Sequence, residues 1–454
     1  MLRHWATPPI VLLDPPRRSR ELAVPQKSNL LSLLKSEYPP PRLPRVYTNF
    51  TSSLKVSYNQ LTTRNQSCLC LVKYSSPLSV RATILLFACI RLRDSGAGGV
   101  GKAFLSQLSA LSKRLSQSPS SPYYLSLIWL STSKKAVYHA DYKSLSNWES
   151  ELQNTSNPTL PLPQLCEYLQ KAPGKVVLVD NTSNQDVADS YPNFLKKGIN
   201  IVTPNKKAFS GSYELWTQIF DAASNGNGAG GYVFHESSVG AGLPVISTLK
   251  DLVETGDQVT KIEGVFSGTM SFLFNSFQPL DGGGGKFSAE VTSAKEKGYT
   301  EPDARDDLNG LDVARKLTIL ARLAGLKVES PTSFPVQSLI PKELESCSSG
   351  DEFLEKLPQY DDQMEKLKAE AKKEDKVIRF VGSVDVPNNK VKVGLEKFET
   401  SHPIAALKGS DNIIAFYTKR YGDNPLIIQG AGAGGEVTAM GVTADLVKVL
   451  RLLH

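Results

Sequence analysis

The chain has 454 residues, 40% hydrophobic and 21% charged, which is ample for two or three packed domains and unlike collagen, a long coiled coil or a wholly disordered chain. Its formal charge of +7 is unevenly spread: residues 1–92 carry thirteen basic and three acidic side chains, a net +10, which leaves the remainder at −3. With no net positive field over that remainder, nucleic acid is not an expected partner.

Residues 1–92 contain none of the 33 glycines, the first being Gly96, but hold ten prolines, among them Pro39, Pro40 and Pro41. No helical or strand period is sustained there, so a low-order extension that packs no core is expected. An Arg- and Ser-rich, acid-poor segment suits organellar transit, yet Pro8, Pro9, Pro15 and Pro16 interrupt the amphipathic helix that transit requires; a gene-model artefact fits as well. The longest apolar run, Ala82 to Ile90, falls far short of the roughly 20 residues of a bilayer span, so no membrane association and a cytoplasmic location are expected. The cysteines (68, 70, 89, 166, 347) and histidines (4, 139, 235, 402, 454) are scattered, without zinc-ligand spacing.

From Gly96 onward strand-like and helix-like stretches alternate, the mark of an α/β fold. Gly96 to Leu115 reads as a glycine turn opening a helix. Strands follow at Tyr123–Leu130, at Lys175–Val179 running into Asp180-Asn181-Thr182, and at Gly198–Val202. These predict a Rossmann-type dinucleotide-binding domain over 93–235, in which the Asn225–Gly231 loop is a surface connection. Strands at Val259–Phe266, Val377–Val384 and Lys390–Lys397 predict a mixed or antiparallel sheet in a second α/β region over 236–426. Leu426–Gln429, Gly430–Gly435 and Val437–Leu453 repeat the strand, glycine turn and helix order, so 427–454 is expected to complete the first domain.

Gly96, Gly98 and Gly101 satisfy GxGxxG, the spacing that brings backbone N–H groups to a pyrophosphate at a helix N-terminus. The same letters read as a phosphate-binding loop ending at Lys102, but Ala103 stands where Mg²⁺ needs a hydroxyl, and Asn205-Lys206-Lys207-Ala208 fails a guanine-reading motif. A nucleotide triphosphatase is therefore the weaker alternative. Arg91–Ser95 separates the apolar run from Gly96, which points to an ill-formed first strand or a non-native residue 1–95 segment, and leaves a non-catalytic dinucleotide-binding protein as another alternative. Ser131-Thr132-Ser133-Lys134-Lys135 offers hydroxyls and lysines where a ribose 2′-OH would want an acid, so NADP is favoured or accepted alongside NAD.

Arg305–Leu326 predicts one helix whose apolar stripe includes Val313, Leu317, Ile319, Leu320 and Leu323. Asp312 and Lys316 fall inside that stripe, whereas Arg315 and Arg322 fall on a solvated face. A charged i,i+4 pair facing a core is costly unless it pairs or lines a polar cavity, and a lysine beside a carboxylate in such a cavity is a ready proton donor.

Ala294 to Lys316, with its AxxxG, acid-Pro and DxxGxDxxxK spacing, resembles the signature of homoserine dehydrogenase, as do Thr203-Pro-Asn-Lys206, His235 to Pro244 and Phe266-Ser-Gly-Thr-Met270 in the same order. Without a kinase or ACT-like extension the chain resembles the monofunctional fungal type. The resemblance implies NAD(P)H-dependent, reversible reduction of L-aspartate 4-semialdehyde to L-homoserine on the route to threonine and methionine, by a homodimer with 236–426 as its catalytic and dimerisation region. It implies Lys316 as the proton-transfer residue, Asp312 orienting it and meeting substrate, and Lys206 beside the nicotinamide and the reacting carbonyl. Glu301, Asp307 and Tyr299 become substrate contacts, with capping of the helix as the other reading of Asp307. Thr182, Gly434 and Gly435 join the cofactor set. A monovalent cation such as Na⁺ is implied at the backbone carbonyls of Glu236, Val239, Ala241 and Leu243.

Overall fold

The computed structural model describes residues 82–89, 99–118 and 123–453. In chain order the strands are β1 (Ala82–Cys89), β2 (Tyr123–Leu127), β3 (Trp129–Ser131), β4 (Ala136–Tyr138), β5 (Lys175–Asp180), β6 (Asn200–Val202), β7 (Val233–Phe234), β8 (Val259–Val265), β9 (Lys376–Asp385), β10 (Lys390–Glu399), β11 (Asp411–Thr418) and β12 (Leu426–Ala431). One sheet has the order β2-β1-β5-β6-β7 with all neighbours parallel. The other has the order β10-β9-β8-β11-β12 with all neighbours antiparallel. A β3-β4 hairpin stands apart. This is the expected α/β class, and no helix among the described residues is long and apolar enough to cross a membrane.

The parallel sheet follows from its composition. Five of the six residues of β5 and all three of β6 are buried, as strands covered on both faces must be. The helix Gly99–Gln117 lays Phe104, Leu105, Leu108 and Leu111 on one face, and beside it the helix Gly435–Leu452 adds Ala439, Val442, Leu446, Val449 and Leu450 to the same core.

Several expectations are corrected here. Residues 82–89 do not stay outside the fold: β1 pairs with β2 on one side and β5 on the other, because a run that is apolar but for Thr83 matches a strand with neighbours on both sides. The charged stretch 91–95, Gly96 and Gly98 lie outside the described residues. Leu426–Ala431 does not return to the first sheet with the C-terminal helix. Its alternation of half-buried and exposed residues suits an edge strand, and it pairs antiparallel with β11 from Asp411↔Ala431 to Phe416↔Leu426. β11 itself, with five consecutive buried residues, carries no polar alternation by which the sequence would mark it as a strand.

The Arg305–Leu326 helix is two helices, Arg305–Leu308 and Leu311–Leu323. Gly310 breaks them with a left-handed φ of 73°, and a Cβ there would stand 3.1 Å from Val336 Cγ1 and 3.2 Å from Phe380 Cζ. Asp312 and Lys316 both follow the break, so their i,i+4 relation survives.

The Asn225–Gly231 loop is more than a surface connection. Asn225 bonds both backbone groups of Val233, through Nδ2 to its carbonyl at 2.7 Å and through Oδ1 from its N–H at 3.0 Å. A Cβ on Gly231 would lie 2.2 Å from the Ile199 carbonyl oxygen, so only glycine lets the loop close against β6. Gly231→Ala is expected to destabilise the protein by about 1–3 kcal/mol. A thermal melt unchanged from wild type would contradict that close packing.

Candidate active site

The site is built where the last turns of the parallel sheet meet the helix Leu311–Leu323. At the C-terminal end of β5 the buried Asp180 carboxylate accepts bonds from the Tyr191 hydroxyl at 2.5 Å, from Asn205 Nδ2 at 3.1 Å and from the Thr182 N–H at 2.9 Å. Thr203 Oγ1 donates to the Asp180 carbonyl at 2.7 Å and accepts from the Asn205 N–H at 2.9 Å. Asp180 therefore fixes the Thr203–Lys206 turn after β6, a use that the sequence does not signal. Ser210 Oγ, bonded to the Lys206 carbonyl at 2.8 Å, holds the turn from the other side.

Lys206 is thereby aimed across the gap between the two halves, with Nζ 3.5 Å from Asp312 Oδ1. The other oxygen, Asp312 Oδ2, lies 2.7 Å from Lys316 Nζ, which also donates to the Phe266 carbonyl at 2.6 Å. The three residues expected to carry the chemistry are thus assembled, and Lys316 is only 7% exposed. Burial lowers the Lys316 ammonium below its ordinary range, against the opposing pull of Asp312 and with the help of the Lys206 charge. For Asp312 burial acts upward, but the charges of Lys316 and Lys206 outweigh it and hold the carboxyl well below the usual carboxylate range.

The loop before this helix supplies the anionic side. Asp307 Oδ1 accepts from Thr269 Oγ1 at 2.8 Å and Oδ2 accepts from the Glu301 N–H at 2.8 Å. Thr269 Oγ1 also lies 2.6 Å from the Tyr299 carbonyl, so its one hydroxyl proton is shared between the two acceptors. Asp307 is therefore a brace between the Thr269 helix and the 299–301 loop rather than a cap of its own helix. Burial, then repulsion from Glu301 and Asp312, raises its carboxyl despite these bonds. Glu301 is exposed, and the partly exposed Tyr299 ring stacks on Phe272 at 4.6 Å. Thr269 and the Phe266 carbonyl have no sequence signal beyond the Phe266–Met270 motif in which they stand, and a carbonyl leaves no side-chain signature at all.

On the nucleotide side, the backbones of two helix starts come together: a Cβ on Gly435 would lie 3.0 Å from the Gly99 carbonyl carbon. Gly101 is buried in the first of these helices, and Gly434, with φ 117°, precedes the second. A cavity of about 180 Å³, bordered by Trp129, Ser131, Thr132, Leu162, Thr182 and Asp186 among others, opens beyond the strand ends. Thr132 Oγ1 is already engaged by the N–H groups of Lys134 and Lys135, and Lys135 Nζ reaches the Gln153 carbonyl at 3.2 Å. The side-chain amide of Asn181, on the strand-end segment, is buried without a protein partner for either polar atom.

The family models match the two halves in order: "Homoserine dehydrogenase, NAD binding domain" over residues 96–231 and "Homoserine dehydrogenase" over residues 244–447. The chain is 57% identical over 374 residues to the homoserine dehydrogenase of Paracoccidioides brasiliensis (strain Pb18), covering 79% of this chain and 97% of that one. It belongs to the homoserine dehydrogenase family. As a member it is an oxidoreductase with an NAD(P)-binding domain acting on a small molecule, and a nucleotide triphosphatase is not favoured. A crystal structure of a Candida auris protein of unknown function aligns with a TM-score of 0.74 and 48% identity, over 82% of this chain and 99% of that one. A hyperthermophilic archaeal homoserine dehydrogenase in complex with NADPH shares the fold at a TM-score of 0.57 and 20% identity, over 82% of this chain and 98% of that one.

The segment expected to hold a cation contains a buried charge cluster that the family motif did not reveal. Glu236 Oε1 accepts from the N–H groups of Ile246 at 2.7 Å and Ser247 at 3.2 Å, at the start of the helix Val245–Glu254. Glu236 Oε2 lies 3.1 Å from Lys448 Nζ, which is 2.9 Å from Asp445 Oδ1, while Asp445 Oδ2 takes the Glu236 N–H at 2.7 Å. This triad fastens the C-terminal helix to the head of the second half. Burial pushes the Asp445 carboxyl up to about 6 from 3.8, Lys448 opposing it. Because the folded value is the raised one, the folded state holds the extra proton between the two values, and stability is lost as pH rises through them. Relative to Asp445→Asn, the native protein is expected to lose about 2–3 kcal/mol between pH 4 and pH 7. Chemical denaturation at several pH values measures it, and a pH-independent difference would refute the assignment.

Proposed function

We propose that the chain reduces L-aspartate 4-semialdehyde to L-homoserine with NADPH or NADH, reversibly, and that the Lys316–Asp312–Lys206 cluster carries the reaction. The observation that supports this reading is a nearly buried ammonium paired with one carboxylate, with a second ammonium 3.5 Å from that carboxylate. Two observations suit a dinucleotide in the nucleotide half: a Cβ on Gly435 would lie 3.0 Å from the Gly99 backbone, so only glycine there lets the two helix starts approach, and the Asn181 amide just past the end of β5 is unpartnered. Gly96, Gly98, Gly101, Thr182, Gly434 and Gly435 would hold it.

A bound nicotinamide supplies a hydride to the aldehyde carbon. Lys316, whose burial weakens its hold on the proton, donates to the oxygen of the new alcohol. Asp312 keeps that ammonium charged and aimed until transfer. Lys206 adds positive charge beside the developing oxyanion, where low polarity magnifies its effect. Glu301, with Asp307 and Tyr299 behind it, meets the substrate ammonium. In the reverse direction neutral Lys316 takes the proton back.

We also propose a place in threonine and methionine formation, a cytoplasmic location, a homodimer and a monovalent cation. For the cation, Gly240 and Ala241 both adopt positive φ, which folds the 236–243 segment into one tight turn, and the Glu236 and Leu243 carbonyls each accept a single N–H, from Val239 and Val245. Sedimentation at twice the chain mass is expected for the dimer, and only monomer at assay concentrations would eliminate it. Replacing Na⁺ by tetramethylammonium is expected to lower activity; no change would eliminate the cation.

NADPH oxidation followed at 340 nm with L-aspartate 4-semialdehyde tests the reaction itself. Lys316→Ala is expected to lower kcat by roughly 10²–10⁴-fold with cofactor binding kept. In the reducing direction kcat should fall as pH rises through the depressed Lys316 value, below 10.5. Asp312→Asn removes the anion that lifts Lys316, so this alkaline limb moves to lower pH. Wild-type kcat in Lys316→Ala, or a limb that Asp312→Asn leaves in place, would overturn the proton-donor role.

A further inference from the structure

Arg322 stands on the helix that carries Asp312 and Lys316, two turns beyond the site, where the sequence predicts a solvated face. It is instead 5% exposed, and its guanidinium is ringed by carbonyls. Nη1 donates to Phe209 at 2.7 Å and Nη2 to Gly211 at 2.7 Å, both on the segment that follows Lys206. Nε donates to Val328 at 2.9 Å and Nη2 to Glu329 at 3.1 Å, both just past the helix itself. The rings of Tyr213 and Trp216 lie 5.5 Å and 5.7 Å from the guanidinium carbon. Glu329 turns its own carboxylate to Lys327 at 3.1 Å.

A buried cation hydrogen-bonded to carbonyls alone is an expensive way to hold two segments together, and apolar side chains of similar volume would often do as well for stability. What the guanidinium adds is direction: a rigid fork of donors reaches both segments at once, which neither an apolar side chain nor a lysine can do. Its two contacts across the gap fall three and five residues after Lys206. They fix the turn from which Lys206 reaches Asp312, where a residue of the parallel-sheet half completes the Asp312–Lys316 pair on the other half.

We propose that Arg322 is a positioning residue for the reaction, setting the approach of Lys206 to Asp312 by clamping the Phe209–Gly211 segment to the catalytic helix. The proposal rests on the catalytic reading of Lys206. Arg322 touches neither Lys316 nor the Glu301–Asp307 loop, so substrate capture and the principal proton donor remain while the second cation shifts. The signature is a loss in kcat with KM for the aldehyde nearly constant, since misplacing a catalytic group by about 1 Å costs on the order of 10²-fold.

The test is a double-mutant cycle of Arg322→Lys and Lys206→Met in the full chain, with melting curves as a control of folding. Arg322→Lys is expected to lower kcat by about 10–100-fold and to change KM for the aldehyde by less than about twofold. In the Lys206→Met background it should cost almost nothing further, because the group it positions has gone. Multiplying losses in the double variant, or a lowered melting point with unchanged kcat, overturn the proposal and make Arg322 a purely structural clamp. Wild-type kcat in Lys206→Met alone overturns the catalytic reading of Lys206 and, with it, this inference. Should Arg322→Lys fail to fold, Trp216→Leu removes one ring from beside the guanidinium while leaving its charge and hydrogen bonds. A smaller fall in kcat is then expected, vanishing in the same way in the Lys206→Met background, and multiplying losses overturn the proposal.

Discussion

Keeping the Lys316 ammonium charged away from water is the constraint on which the site depends. Moving such a group into a protein interior costs several kcal/mol, and Lys316 recovers this through one carboxylate and one carbonyl. Both partners have to be held still. Asp312 is fixed by sharing the helix, one turn earlier, and the Phe266 carbonyl by directly following the last residue of β8. The pair is stable enough to persist and strained enough to release a proton, because burial works against the positive charge that Asp312 sustains.

The same problem of charge without water recurs at each junction of the molecule, with a different solution each time. Asp180 is satisfied by a hydroxyl, an amide and a backbone N–H, and its reward is a rigid turn for Lys206. Glu236 and Asp445 share Lys448 and lean on the start of a helix. Arg379, in β9, reaches the Phe274, Gln278, Ile378 and Ala405 carbonyls. Buried polarity in this protein joins elements that hydrophobic packing alone would leave free to slide, and the reacting residues lie among those joints.

Much of the arrangement was legible in the sequence, for identifiable reasons. β5 announces itself by the unbroken apolar run Val176–Val179, β6 by Ile199, Ile201 and Val202 around Asn200, and Asp312 and Lys316 as charges on an otherwise apolar stripe. Arg322 misled because a helical wheel records angle and not what packs there, and the partners that bury it are carbonyls and rings from residues 209–216. The helix break at Gly310 was hidden because the glycine falls between segments that are both helical. β12 misled through its neighbours: strand, glycines and helix repeat the order at the start of the first domain, yet only the helix goes back. Asp180 and Tyr191 carry no local sign of their pairing, since they stand 11 residues apart, one ending a strand and the other opening a helix.

The placement of the helix Gly435–Leu452 bears on how the protein is made. It covers the same sheet face as the helix Gly99–Gln117, and Thr443 bonds to Gln107 across 336 residues of sequence. As the polypeptide leaves the ribosome, Leu105, Leu108, Val177, Val179 and Val202 are synthesised long before the residues that shield them. For that interval the nascent parallel sheet presents an apolar face that has to be kept from other chains, so the nucleotide-binding half, though encoded first, is finished last.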